Sequence, residues 1–365
     1  MSAAQVTLQD IVTRLQAENL LDADDVSLAY LQHPPQSQPW YIRTMVGFGA
    51  WLASLLLIGF VTSFTLVMDG GTIFIGLLLM GAATLLRHRS DHDFPVQCAL
   101  ASSLAGQALL AYGFSEILGH EAFEIFFSIA LLVSLLMFVL FPDRVHRVLM
   151  VLIATGSLTT LLYLWELNLL VPLLGPAFAG LLILLYRLTP KLVTGRYTEL
   201  LNPLMNGLML SAFGTLLLTT VYLLPELETD FIFYPRPWIS TMLLGLLFLT
   251  LGRCIWLSMT TPENRQALPL YYGLMLIIIL CAWQAPGLLL GLIVTLLGTL
   301  SGRITYTGAG IGFFALFLAA FFYGIEVTML VKSATLIATG LATLLLRWVI
   351  LRSAETRKFD GDDHA

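Results

Sequence analysis

The sequence predicts an all-α integral membrane protein, a polytopic helical bundle with about 12 transmembrane helices. Three observations predict it. Of the 365 residues, 58% are apolar and only 11% are charged, whereas a soluble domain carries about 25% charged residues. Apolar runs recur along the chain at about 20 residues each, the length that crosses a bilayer as a helix. Lys and Arg cluster in alternate connections between these runs, as they do in cytoplasmic loops.

The N-terminal region, residues 1–43, is predicted to be a small cytoplasmic helical head and linker. Thr7 and Asp10 resemble a helix start, and apolar residues follow at helical spacing. The Pro34-Pro35 pair then ends the helical pattern. No basic segment leads into a short apolar core as in a signal peptide, so we expect the first apolar segment to direct insertion.

Residues 44–347 are predicted to form the transmembrane bundle, and residues 348–365 a polar cytoplasmic tail. The bundle contains apolar segments joined mostly by short connections, each a candidate helix of one bilayer crossing. The predicted segments are 44–66, 71–86, 95–114, 122–141, 147–164, 169–186, 203–224, 238–257, 268–283, 286–301, 304–323 and 327–347.

The basic residues predict that both ends of the bundle face the cytoplasm (N-in/C-in). Of the 18 Lys and Arg residues, all but Arg236 and Lys332 fall on one side if the first segment starts inside. An excess of Lys and Arg marks the cytoplasmic side. The residues assigned to that side are Arg14, Arg43, Arg87, Arg89, Arg144, Arg147, Arg187, Lys191, Arg196, Arg253, Arg265, Arg303, Arg347, Arg352, Arg357 and Lys358.

The stretch 268–301 has two readings. Its two segments have about 16 residues each, or about 24 Å of helix against a hydrocarbon core of about 30 Å. They are joined by a tight turn at Gln284–Gly287. The stretch either spans the membrane twice or forms a re-entrant hairpin, which would leave ten crossings. Short segments interrupted by Gly or Pro can mark a binding site in transporters.

Two pieces of the sequence resemble one family of uncharacterised bacterial membrane proteins, domain of unknown function 4401. The pieces are Gly47-Phe48-Gly49-Ala50-Trp51 in the first segment and the stretch from Tyr323 through Lys332-Ser333 to Gly340 in the last. The resemblance covers most of the chain from about residue 40 onward. It implies a multi-pass protein of the bacterial inner (cytoplasmic) membrane with no assigned activity. It also suggests a partner, because family members often lie beside a gene for a small envelope protein with a GDYxxLxY motif.

Lys332 departs from the charge pattern, because it lies inside the last segment on the outer side. A lysine at mid-bilayer costs about 2.5–3.5 kcal/mol on insertion scales. Its side chain can reach the interface by snorkelling. The alternative is a buried ion pair with an outer acid such as Glu166, or with Glu326 if the intervening turn bends.

A Tyr followed by a Glu recurs at the outward-pointing ends of four segments. Interfacial tyrosines followed by acidic loop residues give this pattern by default. The functional alternative is an outer acidic rim that docks a cationic partner or gathers cations. The rim consists of Tyr112, Glu116, Tyr163, Glu166, Tyr222, Glu226, Tyr323 and Glu326.

Small residues recur at steps of three or four in the tenth segment. Such stripes let membrane helices approach closely, and lining a permeation path is the alternative. The eleventh segment has a comparable face, so we expect the two segments to pack together. The predicted packing residues are Gly287, Gly291, Gly298 and Gly302 in the tenth segment and Gly308 and Gly312 in the eleventh.

No metal or cofactor site is predicted. His88 and His92 have a helix-compatible ligand spacing, but a solvated loop accounts for them. The three cysteines show no paired spacing. Polar residues inside segments, such as Ser103 and Gln107, are expected to form interhelical hydrogen bonds.

Two classes of function remain open. The first is a non-catalytic membrane component that scaffolds or assembles an envelope partner, favoured by the acidic rim and the suggested gene neighbour. The alternative is a transporter or channel for a small solute or ion, favoured by the helix number and the short ninth and tenth segments. A polar cavity reaching mid-membrane would favour transport, and a solid apolar interior the partner role. Neither catalytic motifs nor nucleic-acid motifs occur in the sequence.

Overall fold

The computed structural model of the chain is helical, with no strand in the part that it describes. That part comprises residues 71–90, 93–119, 122–192, 198–221, 237–259, 268–283 and 285–324, with scattered helical positions within 45–63 and 330–348. The helices with continuous bounds are α1 (Gly71–Arg89), α2 (Asp93–Leu118), α3 (Ala122–Leu140), α4 (Arg144–Leu164), α5 (Val171–Leu192), α6 (Thr198–Val221), α7 (Pro237–Met259), α8 (Leu268–Cys281), α9 (Pro286–Ser301) and α10 (Ile304–Gly324).

Seven of these helices, α1 to α7, are long and apolar enough to cross a membrane. Three shorter apolar helices follow them among the described residues. The protein is therefore an all-α, multi-pass membrane protein, which confirms the predicted class. The head, the tail and the predicted segments 44–66 and 327–347 lie largely outside the described residues, so the count of about 12 stays a prediction.

The helices pack mainly against their neighbours in the chain, as short connections require. The closest pairs are α1 with α2, α3 with α4, α5 with α6, and α9 with α10, and α4 also packs on α6. One buried cluster lies among α1 to α4 and includes Met80, Ala99 and Met150. A larger one runs through α4 to α10. Helix α3 is apolar and few of its residues are buried, as expected of a helix that faces lipid.

Helix α8 packs alongside α7. The turn that follows α8 lies level with Thr241, the fifth residue of α7. The hydroxyl of Tyr271 on α8 donates to the carbonyl oxygen of Gly252 on α7 at 3.0 Å. The hydroxyl of Thr241, near the start of α7, donates to the carbonyl oxygen of Trp283 at 2.9 Å, just after α8 ends. Because membrane-embedded carbonyl groups need partners, Thr241 stabilises the turn between α8 and α9.

Helix α9 lies at the centre of the larger cluster, packed on α6, α7 and α10. Leu289, Leu290 and Val294 are fully buried. Its glycines Gly291 and Gly298 face α10 so closely that a methyl group on either would press on the backbone of Phe314 or Thr307. Small residues are what allows such proximity between membrane helices.

Helix α10 uses a different glycine from those predicted. Gly308 and Gly312 are exposed, and no described residue lies within 4 Å of a methyl group built on either. Gly310 takes the contact instead, because such a methyl group would lie 2.5 Å from the backbone nitrogen of Thr295. The buried residues Tyr306, Gly310, Phe313 and Phe317 recur at helical spacing and define the packed face. Gly302 is the left-handed C-cap of α9, at φ 65°.

We predict that Gly298→Ala destabilises the protein while Gly312→Ala does not. Alanine favours a helix over glycine by about 1 kcal/mol, but at position 298 its methyl group must displace the Thr307 backbone. Overpacking of this kind costs about 1–3 kcal/mol. Thermal unfolding of both variants in the same detergent measures the difference. Equal melting temperatures would contradict the close packing of α9 on α10.

Candidate functional site

A cavity of about 680 Å³ lies among α2, α3, α4 and α6. Its lining comes from the middle and second halves of α2, α4 and α6 and from the first half of α3. The cavity therefore extends from the middle of the bundle towards the end at which α2 and α4 finish. Its volume falls within the range of about 300–1,000 Å³ that is usual for ligand pockets.

The wall of the cavity is apolar with a stripe of uncharged polar groups. Phe126, Phe127 and Leu218 are among the apolar residues, and none of the described lining residues is charged. The polar stripe is formed by one amide on α2, hydroxyl residues on α4 and hydroxyl residues on α6. Its members are Gln107, Thr155, Ser157, Thr159, Thr160, Tyr163, Ser211 and Thr215.

A hydrogen-bonded chain leads from the cavity wall into the protein. The Nε2 atom of Gln107 donates to Ser103 Oγ at 3.3 Å, and Ser103 Oγ lies 2.9 Å from His146 Nε2. Both Ser103 and His146 are fully buried. The imidazole stacks on Phe141 with the ring centroids 4.0 Å apart. The chain joins α2 to the first turn of α4 with uncharged side-chain bonds.

The start of α4 is held by a carboxylate. Asp143 Oδ1 accepts from the backbone N–H of His146 at 2.9 Å, the geometry of an N-cap. Its other oxygen, Oδ2, lies 3.8 Å from Arg87 Nε at the end of α1. The cap thereby fixes His146 in place and ties α1 to α4.

Further arginines meet at the same end of the bundle. Arg147 donates to the carbonyl oxygens of Phe138 at 3.2 Å and Glu199 at 3.4 Å. Arg303 donates to Asn202 Oδ1 at 3.0 Å. We call this end, with Arg87, Arg147 and Arg303, the basic end.

The opposite end carries the two described carboxylates of the predicted rim. Glu116 and Glu166 are exposed, close to where α2 and α4 finish. Tyr112 is half exposed, and Tyr163 is half buried and lines the cavity. We call this the acidic end. It lies a helix length away from the basic end, because α2 and α4 run between them.

Glu166 has an unusual backbone conformation. Its φ is 56°, and its N–H donates to the carbonyl oxygen of Tyr163 at 3.0 Å. The N–H of Leu167 donates to the carbonyl oxygen of Leu162 at 2.8 Å. These two bonds form a Schellman helix end, in which the left-handed position usually belongs to glycine. A glutamate there carries local strain.

The remaining predicted site residues are not brought into a described site. Lys332, Glu326, Tyr222 and Glu226 lie outside the described residues, as does the side chain of Tyr323. The ion pair of Lys332 with Glu166 or Glu326 and the other half of the rim therefore stay predictions.

The described residues hold no cluster of three or more His, Cys, Asp or Glu suited to a metal ion. His88 Nδ1 lies 2.8 Å from the carbonyl oxygen of Thr84, one turn earlier in α1, and His92 lies outside the described residues. The three cysteines are free. The described lining of the cavity is uncharged and contains hydrogen-bonding side chains.

His146 is the site residue that sequence reasoning missed. In the sequence it lies between Arg144 and Arg147 and reads as part of a basic loop. One signal could have found it: Asp143 three residues earlier is a preferred N-cap residue, so His146 belongs to the first turn of a helix. Ser103 and Gln107 were expected to bond between helices, and Ser103 does so.

The comparisons with known proteins give one match. The family model described as domain of unknown function (DUF4401) matches residues 39–353. No curated protein and no solved structure matches the chain.

We predict that Ser103→Ala destabilises the protein and that Ser102→Ala changes its stability little. The first change removes the partner shared by Gln107 and His146, whereas Ser102 is a half-buried neighbour of the same size. Hydrogen bonds between membrane helices contribute about 0.6–1.7 kcal/mol. Thermal unfolding in detergent provides the measurement. Equal losses in the two variants would show that the chain contributes nothing specific.

Proposed function

Since the chain belongs to the family described as a domain of unknown function, DUF4401, we propose its function from its geometry: it transports a small uncharged molecule across the bacterial inner membrane. The cavity among α2, α3, α4 and α6 is the binding site. That cavity carries the proposal, because polar side chains around a cavity inside a membrane protein commonly mark a substrate or ion pathway.

The position of the polar groups in the bundle supports a role in transport rather than a purely structural role. The cavity reaches from mid-bundle towards the acidic end, and the chain from Gln107 to His146 continues towards the basic end. Polar groups inside membrane proteins typically line substrate or ion pathways. A solute entering from the acidic end would therefore meet the hydrogen-bonding groups of the cavity from that end to the middle of the bundle.

We place the basic end in the cytoplasm, so that the acidic end faces outward. The support is the gathering of Arg87, Arg147 and Arg303 at one end, where the preference for internal positive charge applies. The contacts of α8 with α7 support two full crossings in 268–301 rather than a re-entrant hairpin. The turn after α8 comes level with Thr241, near the outer start of α7. Together with the predicted segments 44–66 and 327–347, we propose twelve crossings with both ends inside.

A second candidate function is a scaffold for an envelope partner. The observation that favours it is Glu166, an exposed carboxylate held in a conformation that glycine would adopt with less strain. Together with Glu116 it gives the acidic end a surface suited to a cationic segment. The two functions differ in what accompanies the protein from its membrane, a small molecule or a second polypeptide.

We predict that Gly156→Phe expels a bound molecule and that Gly81→Phe does not. Gly156 lines the cavity, and an added Cβ would meet no described residue within 4 Å, so a phenyl ring fits but fills the space. Gly81 is equally open but lies on the exposed face of α1. Native mass spectrometry of each protein, purified from its own membranes, measures the small molecules retained.

Wild type and Gly81→Phe should retain the same molecule, and Gly156→Phe should lose it. Vesicles that contain wild-type protein should then release that molecule faster than vesicles with Gly156→Phe. Retention by all three proteins, or by none, would contradict a binding site in the cavity. Retention without faster release would leave binding intact and reject transport.

A further inference from the structure

Five of the seven hydroxyl groups that line the cavity use their hydrogens within the protein. Thr159 Oγ1 donates to the carbonyl oxygen of Thr155 at 2.8 Å. Thr160 Oγ1 donates to that of Gly156 at 3.1 Å, and Thr215 Oγ1 to that of Ser211 at 3.0 Å. A hydroxyl has one hydrogen to donate and two lone pairs to accept with. What these three groups can offer a ligand is therefore a lone pair.

The hydrogen-bonded pair of Thr155 and Ser211, which joins α4 to α6, likewise offers a ligand only lone pairs. Thr155 Oγ1 donates to the carbonyl oxygen of Val151 at 2.8 Å. The bond of 2.7 Å between Thr155 Oγ1 and Ser211 Oγ must then use the hydrogen of Ser211. Both hydrogens of the pair are engaged within the protein, and only lone pairs remain.

Gln107 adds a stronger acceptor. Its amide nitrogen donates to Ser103, while its carbonyl oxygen, Oε1, is buried and has no hydrogen-bond partner among the described residues. The residue lines the cavity and is only 6% exposed. A buried amide oxygen without a partner is costly, so a ligand whose donor reached it from the cavity would remove that cost.

Charge and shape narrow the ligand further. A charged ligand would meet no opposite charge on the described lining residues, and burying an unpaired charge is costly. The aromatic and aliphatic walls suit an apolar body. The volume of about 680 Å³ is suited to a molecule of drug-like size.

From these observations we infer that the ligand of the cavity is an uncharged hydrogen-bond donor with an apolar body, an alcohol or a primary amide. This inference rests on the proposed function, because it describes the molecule that the same cavity binds. It ranks esters, ethers and ketones of the same shape below such donors, since these can only accept hydrogen bonds and cannot satisfy the oxygen of Gln107.

A matched pair of probes tests the inference: 2-naphthalenemethanol and its methyl ether, in which a methyl group replaces the donor hydrogen. Both are titrated into the protein in lipid nanodiscs, with empty nanodiscs as the partition control. Wild type should bind the alcohol about five- to tenfold more tightly than the ether, as expected for one hydrogen bond to a buried acceptor.

Two variants assign the preference to the cavity. Gln107→Leu removes the amide acceptor and should make the two probes bind alike. Thr160→Val removes a lining hydroxyl but keeps the amide acceptor, so it should retain the preference for the alcohol. Thr250→Val is the control, because Thr250 also donates within its own helix but lies exposed on α7. That change should leave the preference of wild type intact.

The outcomes separate the inference from the proposed function. Equal affinity of wild type for the two probes, each lost in Gly156→Phe, would overturn the donor requirement and leave the cavity as a binding site. Tighter binding of the ether would overturn it as well. No binding of either probe would also reject the donor class, while retention of another molecule that Gly156→Phe expels would keep the proposed function.

Discussion

Polar groups in a lipid environment must find their partners inside the protein, and this constraint organises the structure. Water is absent from the hydrocarbon core, so each unsatisfied backbone or side-chain group costs several kcal/mol there, on the order of 2–7. Accordingly, Tyr306 bonds Asn206 at 2.8 Å between α10 and α6. Ser240 bonds the carbonyl oxygen of Pro172 at 2.7 Å between α7 and α5. Such bonds fix which helices are neighbours.

Close packing supplies the rest of the cohesion between helices. Lipid tails are as apolar as leucine, so burial of apolar surface drives association weakly in a membrane. Close contact between the backbones of neighbouring helices stabilises their association instead. A methyl group on Gly76 of α1 would lie 2.8 Å from the carbonyl oxygen of Gly106 on α2. Together with the glycines between α9 and α10, this pair shows how small residues join successive helices in two parts of the bundle.

The cavity departs both from full hydrogen bonding and from close packing of the helices. Around it, α4 and α6 are held by the Thr155–Ser211 bond, yet Gly156 and Gly214 face no described neighbour within 4 Å. Gly76, Gly291 and Gly298 permit contact between helices, whereas these two glycines of the cavity leave space. The unpartnered oxygen of Gln107 is the second departure. Departures from full packing and full hydrogen bonding are most often found at functional sites.

The sequence predicted what is local and missed what depends on distant pairing. A membrane segment is defined by its own composition and length, so the apolar runs corresponding to α1 to α7 could be identified directly. The face that each helix turns inward depends on its neighbour. Gly308 and Gly310 differ by about 200° around α10, and no periodicity within that helix alone selects one of them. The same holds for His146, whose partner Ser103 lies 43 residues earlier.

If lipid surrounds α1 to α7, the basic and acidic ends lie on opposite sides of the membrane. Single cysteines at Arg89 and Glu166, both exposed, test this directly once the three native cysteines are replaced. Labelling with a membrane-impermeant maleimide in spheroplasts is measured before and after permeabilisation. We expect Glu166→Cys to react in intact spheroplasts and Arg89→Cys to react only after permeabilisation. Reaction of both positions at the same stage would contradict a bundle that crosses the membrane between them.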